Sequence, residues 1–363
     1  MKKVVILGGS FDPVHIGHID ILKEAIKIGD FDEGWFLPAK NPRWKKECIS
    51  ITKRIKLLSL VCKNEDKLKI CKEEINSKTT NFTYDTIIKL NKKYPNIEFS
   101  FLIGTDQLNL LHKWYKIDEL SNLVNFIIIN RPKYELNFNN ITKYNCKLFD
   151  YCGPDISSTD FKNTLNLNLI PSYLHDEIIK EGDYYKKKLR NLIDYKRYCH
   201  SLEVAKLART IAKNNNYNEN KAFLAGLLHD CAKSISKSKE LEIMNNEFKN
   251  YIFESSLIYH QFTGSIIAKN EFNIGDNEIL EAIKWHTTGK ENMSILAKII
   301  YSADKIEPSR GYDSKYMIDA CINNISSGFE LVLKENYRFL VKKGFVIHNS
   351  ELTKKCLKYY HII

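Results

Sequence analysis

The sequence predicts two folded parts of different class: an α/β part with a parallel sheet wrapped by helices, followed by an all-α part. Three observations carry this expectation. In the first half, short apolar runs alternate with stretches of helical spacing, the pattern of strands joined by crossover helices. From Asp194 onward the strand-like runs stop and helical periodicity takes over. The chain has 363 residues, and at roughly 150 residues per domain that length suggests two domains.

Taken in order, "KKVVILGG" at 2–9 reads as a buried strand ending in a glycine turn. "HIGHIDILKEAIKIG" follows, with Ile19, Leu22, Ala25 and Ile26 at helical spacing. "EGWFLPA" (33–39), "EFSFLIGTD" (98–106) and "NFIIINRP" (125–132) read as further strands with helical stretches between them. This pattern runs to about Leu189, and the charged run "EGDYYKKKLRNLIDYK" (181–196) marks the expected join, placing the domains at 1–189 and 190–363. Beyond it, 198–215, 220–233, 276–289, 293–308 and 322–344 each read as helical.

Hydrophobic residues make up 44% and charged residues 27% of the chain, which suits a soluble globular protein. The formal net charge of +11 is spread along the whole length, without a Lys/Arg block. That distribution argues against a nucleic-acid stripe and suits phosphorylated small substrates. Nine cysteines without a CxxC pair point to free thiols in a reducing cytosol, hence a cytoplasmic location. The N-terminal apolar run is too short for a signal peptide, and no segment approaches the ~20 apolar residues of a membrane span. A homodimer is left open.

"GGSFDPVHIGH", residues 8–18, follows the first strand. Its glycines allow the backbone close to a ligand, and His15 and His18 lie one turn apart at a helix start, where unpaired N–H groups and the helix dipole attract phosphate. A metal site would need more ligands than nearby Asp12. An ordinary strand–turn–helix with two surface histidines explains these eleven residues equally well.

The stretch nevertheless resembles the signature of bacterial nicotinate-mononucleotide adenylyltransferases, and the resemblance continues in order through "FLPAKNPRWK", "TYDTI", "FLIGTDQLNLLHKWYKIDEL", "NRPKY" and "ISSTDFK". It implies a Rossmann-like nucleotidyltransferase that joins the mononucleotide phosphate to the α-phosphorus of ATP and releases pyrophosphate, with Mg²⁺ carried on the ATP and nicotinate preferred over nicotinamide. By the same resemblance His15 and His18 are catalytic. Gly8, Gly9, Ser10, Phe11, Lys45, Gly104, Asp106, Ser157, Ser158, Thr159 and Lys162 bind ATP or its phosphates. Thr83, Tyr84, Asp85, Trp114 and Tyr115 bind the mononucleotide. Two positions depart from the pattern: Trp44 stands where histidine is frequent, and Lys162 where arginine is usual, keeping the charge without the bidentate fork. Pantetheine-phosphate adenylyltransferase is the nearest rival, disfavoured by the "GTDQL…W" and "ISST" pair.

The helical half raises a different problem. His200 shares a face with Val204, Leu207 and Ile211; His286 follows Ile279, Ala282 and Ile283; Asp304 follows Leu296 and Ile300; His229 and Asp230 end the apolar "AFLAGLLHD". These polar groups are expected to point inward, where an isolated carboxylate is costly unless paired or metal-bound. The order H…HD…H…H…D resembles HD-domain phosphohydrolases, and "HSLEVAKLA", "AGLLHDCAK", "YHQFTGSIIAKNEF", "AIKWHTTGK" and "YSADKIEPSRGY" are similar to the YqeK-like branch, symmetrical diadenosine tetraphosphate hydrolases. That resemblance implies two metal ions: one held by His200, His229, Asp230 and Asp304, a second by His260 and His286 with Asp230 bridging and catalytic. Iron is the implied metal, with manganese or zinc as alternatives for mixed N/O donors. Lys233 and Arg310 are candidates to face phosphate. The alternatives are another nucleotide substrate, or a regulatory or RNA-binding module with a degenerate site.

Overall fold

The computed structural model describes residues 1–40, 48–76, 82–130, 134–151, 153–154, 156–249, 255–344 and 351–363. The chain divides into two compact units, Met1–Glu177 and Ile178–Ile363. In chain order the first holds β1 (Lys2–Gly9), α1 (Ile16–Ile28), β2 (Glu33–Pro38), α2 (Ile51–Asn64), β3 (Leu68–Ile70), α3 (Thr83–Lys93), β4 (Ile97–Gly104), α4 (Thr105–Leu108), α5 (Ile117–Leu120), β5 (Asn125–Ile129), α6 (Phe138–Lys143), β6 (Lys147–Phe149) and α7 (Ser158–Thr164). Helix α8 (His175–Glu181) crosses the division.

Among the described residues the sheet has six strands in the order β3-β2-β1-β4-β5-β6, every pairing parallel. Its central strands are apolar on both faces because helices cover both sides: Val4, Val5 and Ile6 of β1 and Phe126, Ile127 and Ile128 of β5 are buried. After β3 the chain crosses back to place β4 beside β1, so the strand order reverses there. At such a switch point the loops leaving the two strands diverge and open a crevice outside their carboxyl ends. The register brings Gly9 opposite Pro38, and Gly104 opposite Ile129, at that same edge. The parallel sheet and its four main strands are as the sequence predicts. The short edge strands β3 and β6, three residues each, were not expected.

The second unit continues with α9 (Asp183–Leu192), α10 (Tyr195–Asn214), α11 (Glu219–Leu228), α12 (Lys237–Glu247), α13 (Tyr259–Phe272), α14 (Asn277–Lys284), α15 (Ile295–Ile306), α16 (Lys315–Asn323), α17 (Ile325–Lys342) and α18 (Glu351–Tyr359), with no strand among the described residues. The charged run expected at the join is helix α9, whose Tyr184, Tyr185 and Leu189 are buried in this unit. Every residue from Ala222 to Leu228 of α11 is buried, because α10, α14 and α15 pack around it. Gly226 permits the closest approach: a Cβ there would lie 2.9 Å from the Ala205 Cα of α10. The stretch 322–344 contains a break, since Asn324 adopts an extended conformation and caps α17 through its side chain.

Candidate functional site

The first candidate site lies where β1 and β4 end. The chain leaves β1 through Gly8 and Gly9, and a Cβ on Gly8 would lie 3.0 Å from the Phe101 ring. Phe11, in the left-handed region at φ 48°, is fully buried and packs edge-on against Phe36 and His18. His15 then caps α1; its amide donates to His18 Nδ1 at 3.3 Å, and the two imidazoles lie 3.6 Å apart, ring centre to ring centre. The two histidines thus act as one unit at the helix start.

Helix α7 closes one side of this turn. Ser158 Oγ donates to the Pro13 carbonyl at 2.9 Å, and Lys162 Nζ sits 3.2 Å from the buried Asp12 carboxylate. Ser157 caps α7 in a reciprocal pair with Asp160, and Thr159 is exposed. The hydroxyls of Ser157 and Ser158 are therefore engaged within the protein. Gly104 ends β4 and caps α4, and Asp106 accepts from Gln107 at 3.0 Å. Lys45 and Trp44 lie outside the described residues.

The residues implied for the mononucleotide form a neighbouring aromatic group. Thr83, Tyr84 and Asp85 open α3, where the Tyr84 hydroxyl donates to Glu119 at 2.6 Å. The exposed Tyr115 stacks on Phe82 at 4.4 Å and meets Tyr84 edge-on. Trp114 packs edge-on against Phe101 and Phe126, so it stands one ring away from Gly8 and also seals the core.

Two residues of this site escaped the sequence reading. Arg54, 1% exposed, sends its guanidinium to the carbonyls of Ser10, Ala39, Lys40 and Ile49, tying the loops after β1 and β2 to the start of α2. Asp12 is the buried partner of Lys162 and also accepts from the Ile49 amide. A lone arginine among the apolar positions of α2 was the available signal for the first.

The second candidate site is a buried cluster in the helical unit. His200 comes from α10, His229 and Asp230 from the turn after α11, His260 from α13, His286 from the turn after α14 and Asp304 from α15. All six come together. His229 Nε2 lies 3.7 Å from Asp230 and 3.5 Å from Asp304; His286 and His260 lie 3.4 and 3.8 Å from Asp230; His200 lies 3.1 Å from Asp304. Lys233 and Arg310 approach the same carboxylates, at 3.5 Å from Asp230 and 2.6 Å from Asp304. Lys305, which the sequence reading missed, lies 2.8 Å from Asp304.

The orientation of the rings follows from their partners. His229, His260 and His286 each point Nδ1 at a main-chain carbonyl three residues back, those of Gly226, Leu257 and Ile283, at 2.7 to 3.0 Å. A carbonyl only accepts, so Nδ1 carries the hydrogen and Nε2 turns a lone pair inward. His260 Nε2 is met by the Thr287 hydroxyl at 3.0 Å.

Burial disfavours charge on the rings of His229, His260 and His286. It pushes His260 down to about 3, with His286 and Lys233 adding to the effect, and it also lowers His286. At His229 burial is outweighed by the carboxylates of Asp230 and Asp304, and the pKa rises. Asp230 and Asp304 are held well below the usual carboxylate range: burial opposes this, but His229 and His286 around the one and Lys305 and His200 around the other prevail. The two carboxylates are thus held in their charged form by the positive groups packed against them.

Among the described residues, two sets of three donor atoms are close enough to hold an ion: His200, His229 and Asp304, and His229, Asp230 and His286. His229 Nε2 and Asp230 Oδ1 are buried with no hydrogen-bond partner among the described residues. Two orphaned donor atoms beside mixed imidazole and carboxylate ligands fit a divalent metal.

The comparisons with known proteins follow the same division. The family described as cytidylyltransferase-like matches residues 6–164, and the HD domain matches 197–309. A "Probable nicotinate-nucleotide adenylyltransferase/Ap4A hydrolase" of Mycoplasma genitalium is 33% identical over 341 residues, 92% of this chain and 97% of its own. Its namesake in Mycoplasma pneumoniae is 28% identical over 338 residues, 91% and 98% of the two chains. A solved structure described as a "predicted HD superfamily hydrolase involved in NAD metabolism" from Clostridium acetobutylicum shares 34% identity, covering 50% of this chain and 96% of its own with a TM-score of 0.46. With a cytidylyltransferase-like half, an HD half and a relative aligned over nearly the full length of both chains, the protein belongs to the family of nicotinate-nucleotide adenylyltransferase/Ap4A hydrolases.

Proposed function

We propose that the N-terminal half transfers AMP from Mg-ATP to nicotinate mononucleotide, and that the C-terminal half hydrolyses diadenosine tetraphosphate symmetrically. In the first reaction a mononucleotide phosphate oxygen bonds to the α-phosphorus of ATP as the bond to the β-phosphate breaks. The products are the deamido form of NAD and pyrophosphate. No covalent enzyme intermediate is needed, so the work is positioning and stabilising negative charge. Gly8 and Gly9 let the backbone approach the nucleotide, His15 and His18 face the phosphates, and Lys162 and the start of α7 hold the far end. Thr83, Tyr84, Asp85, Trp114 and Tyr115 receive the mononucleotide, while Gly104 and Asp106 meet the ATP ribose.

In the second reaction water attacks one of the two central phosphorus atoms, its bond to the oxygen bridging them breaks, and two ADP leave. His200, His229, Asp230 and Asp304 would hold one metal, and His260 and His286 a second with Asp230 shared; iron, manganese or zinc suits these donors. When bound, such ions supply Lewis acidity at the phosphate oxygens and favour ionisation of water. Lys233 and Arg310 stand at the carboxylates to meet the polyphosphate chain.

The observation that supports the reading is that two separate polar sets come together, each within its own unit. The test is paired substitution. His18→Ala should lower adenylyl transfer by at least about 100-fold, the effect of losing a transition-state charge contact, and leave diadenosine tetraphosphate hydrolysis intact. Asp230→Ala should do the reverse and lose metal. Hydrolysis at the parent rate by a metal-free Asp230→Ala protein would end the metal-centre reading. Consumption of phosphopantetheine but of neither pyridine mononucleotide would end the first.

A further inference from the structure

One of the four histidines is supported differently from the others. His229, His260 and His286 give Nδ1–H to neutral main-chain carbonyls. His200 instead points Nδ1 at a carboxylate: Glu307 Oε1 lies 3.0 Å away, and Glu307 is 1% exposed. That carboxylate is fixed in turn. The Ser309 amide donates to Oε2 at 2.6 Å, and the Ser309 hydroxyl to Oε1 at 2.8 Å. Glu307 begins the segment that follows α15, so the helix carrying Asp304 also delivers the group behind His200.

The consequence is felt at the other ring nitrogen. With its hydrogen on Nδ1, His200 presents the Nε2 lone pair to Asp304 Oδ1 at 3.1 Å. In that tautomer two acceptors face each other across the gap, and a shared cation would reconcile them. The Arg310 guanidinium already presses on this edge, 2.6 Å from Asp304 Oδ1 and 3.5 Å from His200 Nε2. A carboxylate behind an imidazole also makes its free nitrogen a stronger donor than a neutral carbonyl does.

We infer that Glu307 is the positioning residue of the metal centre: it sets the tautomer and direction of His200 and, through its charge, the affinity of the His200–His229–Asp304 position. This rests on the metal reading given above. The other set, His229, Asp230 and His286, has no carboxylate behind its rings and should depend little on Glu307.

The test is a Mn²⁺ titration of the metal-free full chain, followed by the electron paramagnetic resonance of the unbound ion. The tautomer of His200 is read separately from imidazole nitrogen chemical shifts in the metal-free chain. Glu307→Ala should weaken one binding step by about 10–100-fold, the range for removing such a partner, and leave the other step in place. In its spectrum His200 should no longer be held in the Nδ1–H form. Glu307→Gln keeps the shape, but a single amide oxygen cannot serve both His200 and the Ser309 amide, so it should fall between parent and alanine. Helical circular dichroism of both variants should match the parent, which confirms an intact fold, and adenylyl transfer in the other unit should be unchanged. Should the alanine variant not fold, the glutamine variant and its spectrum decide. Parent-like Mn²⁺ binding together with a parent-like His200 tautomer would overturn the inference and leave the metal centre standing. A parent chain that binds no Mn²⁺, Fe²⁺ or Zn²⁺ would remove the metal centre and this inference together.

Discussion

Lys162 has two roles to separate. Its ammonium is implied for phosphate, yet it already neutralises Asp12, whose carboxylate is 1% exposed. Removing it takes a cation away from a buried carboxylate. Lys162→Ala should therefore weaken ATP binding by roughly 1.5–3 kcal/mol, the range for a hydrogen bond to a charged group. It should also cost the first unit about 1–3 kcal/mol, less than a fully buried pair because the ammonium partly meets water. Lys162→Arg should keep both; ATP kinetics beside thermal melts will tell, and an alanine variant with unchanged ATP use places Lys162 outside the site. Glu74 offers a pH-dependent counterpart. Burial pushes its carboxyl up to about 7, against its Thr86 hydrogen bond and Lys89. Between about pH 4.5 and 7 the folded chain holds a proton there that the unfolded chain has released. The group thus stabilises the fold below that window, and the contribution is lost as pH rises through it. Glu74→Gln should flatten that stretch of the stability profile and melt above the parent at alkaline pH; an unaltered profile would contradict this.

The way α1, α2, α10 and α11 are set against their neighbours decides whether the sites assemble. Helix α2 supplies Arg54, whose four carbonyl partners belong to the loops around the first crevice. Arg54→Met fills the same space but leaves those buried acceptors short of donors, at about 1–3 kcal/mol each and not additively. It should lower the melting point of the first unit and raise the KM for ATP, with hydrolysis in the second unit unaffected. In the helical unit, α11 touches α10 at Gly226, whose carbonyl also holds His229. An added Cβ meets backbone, which cannot rotate away. Gly226→Ala should destabilise by about 1–3 kcal/mol or more, as overpacking does, and reduce bound metal by tilting His229. Parent-like stability and metal content would show that α10 and α11 separate more easily than their packing implies.

Across the whole chain, two compact units each hold a polar set of their own. Ligands that bind a folded state stabilise it by mass action, about 2.7 kcal/mol at a hundredfold excess over Kd. In calorimetry of the intact chain, Mn²⁺ should raise the transition that Asp230→Ala makes insensitive to metal. Mg-ATP should raise the one that Arg54→Met lowers. A single transition moved equally by both ligands would mean the units unfold as one.

What was legible in the sequence and what was not follow one physical line. Patterns written in neighbouring residues could be read directly. The apolar runs of β1, β2, β4 and β5, the switch to helical period after Asp194 and the inward-facing His200, His286 and Asp304 all show in the local text, because burial on a regular element imposes a period. The edge strands β3 and β6 did not show. Three residues are too few to make a period, and their pairing comes from the strand beside them. The break at Asn324 was hidden because a cap depends on one backbone conformation inside an otherwise continuous helical pattern. Partnerships between distant residues were invisible for the same reason: Asp12 with Lys162, Arg54 with the loops after β1 and β2, and Glu307 with His200 join segments up to 150 positions apart. A charged residue in the sequence states that it needs a partner; which one it meets is settled when packing brings the segments together and removes the water that would otherwise have served.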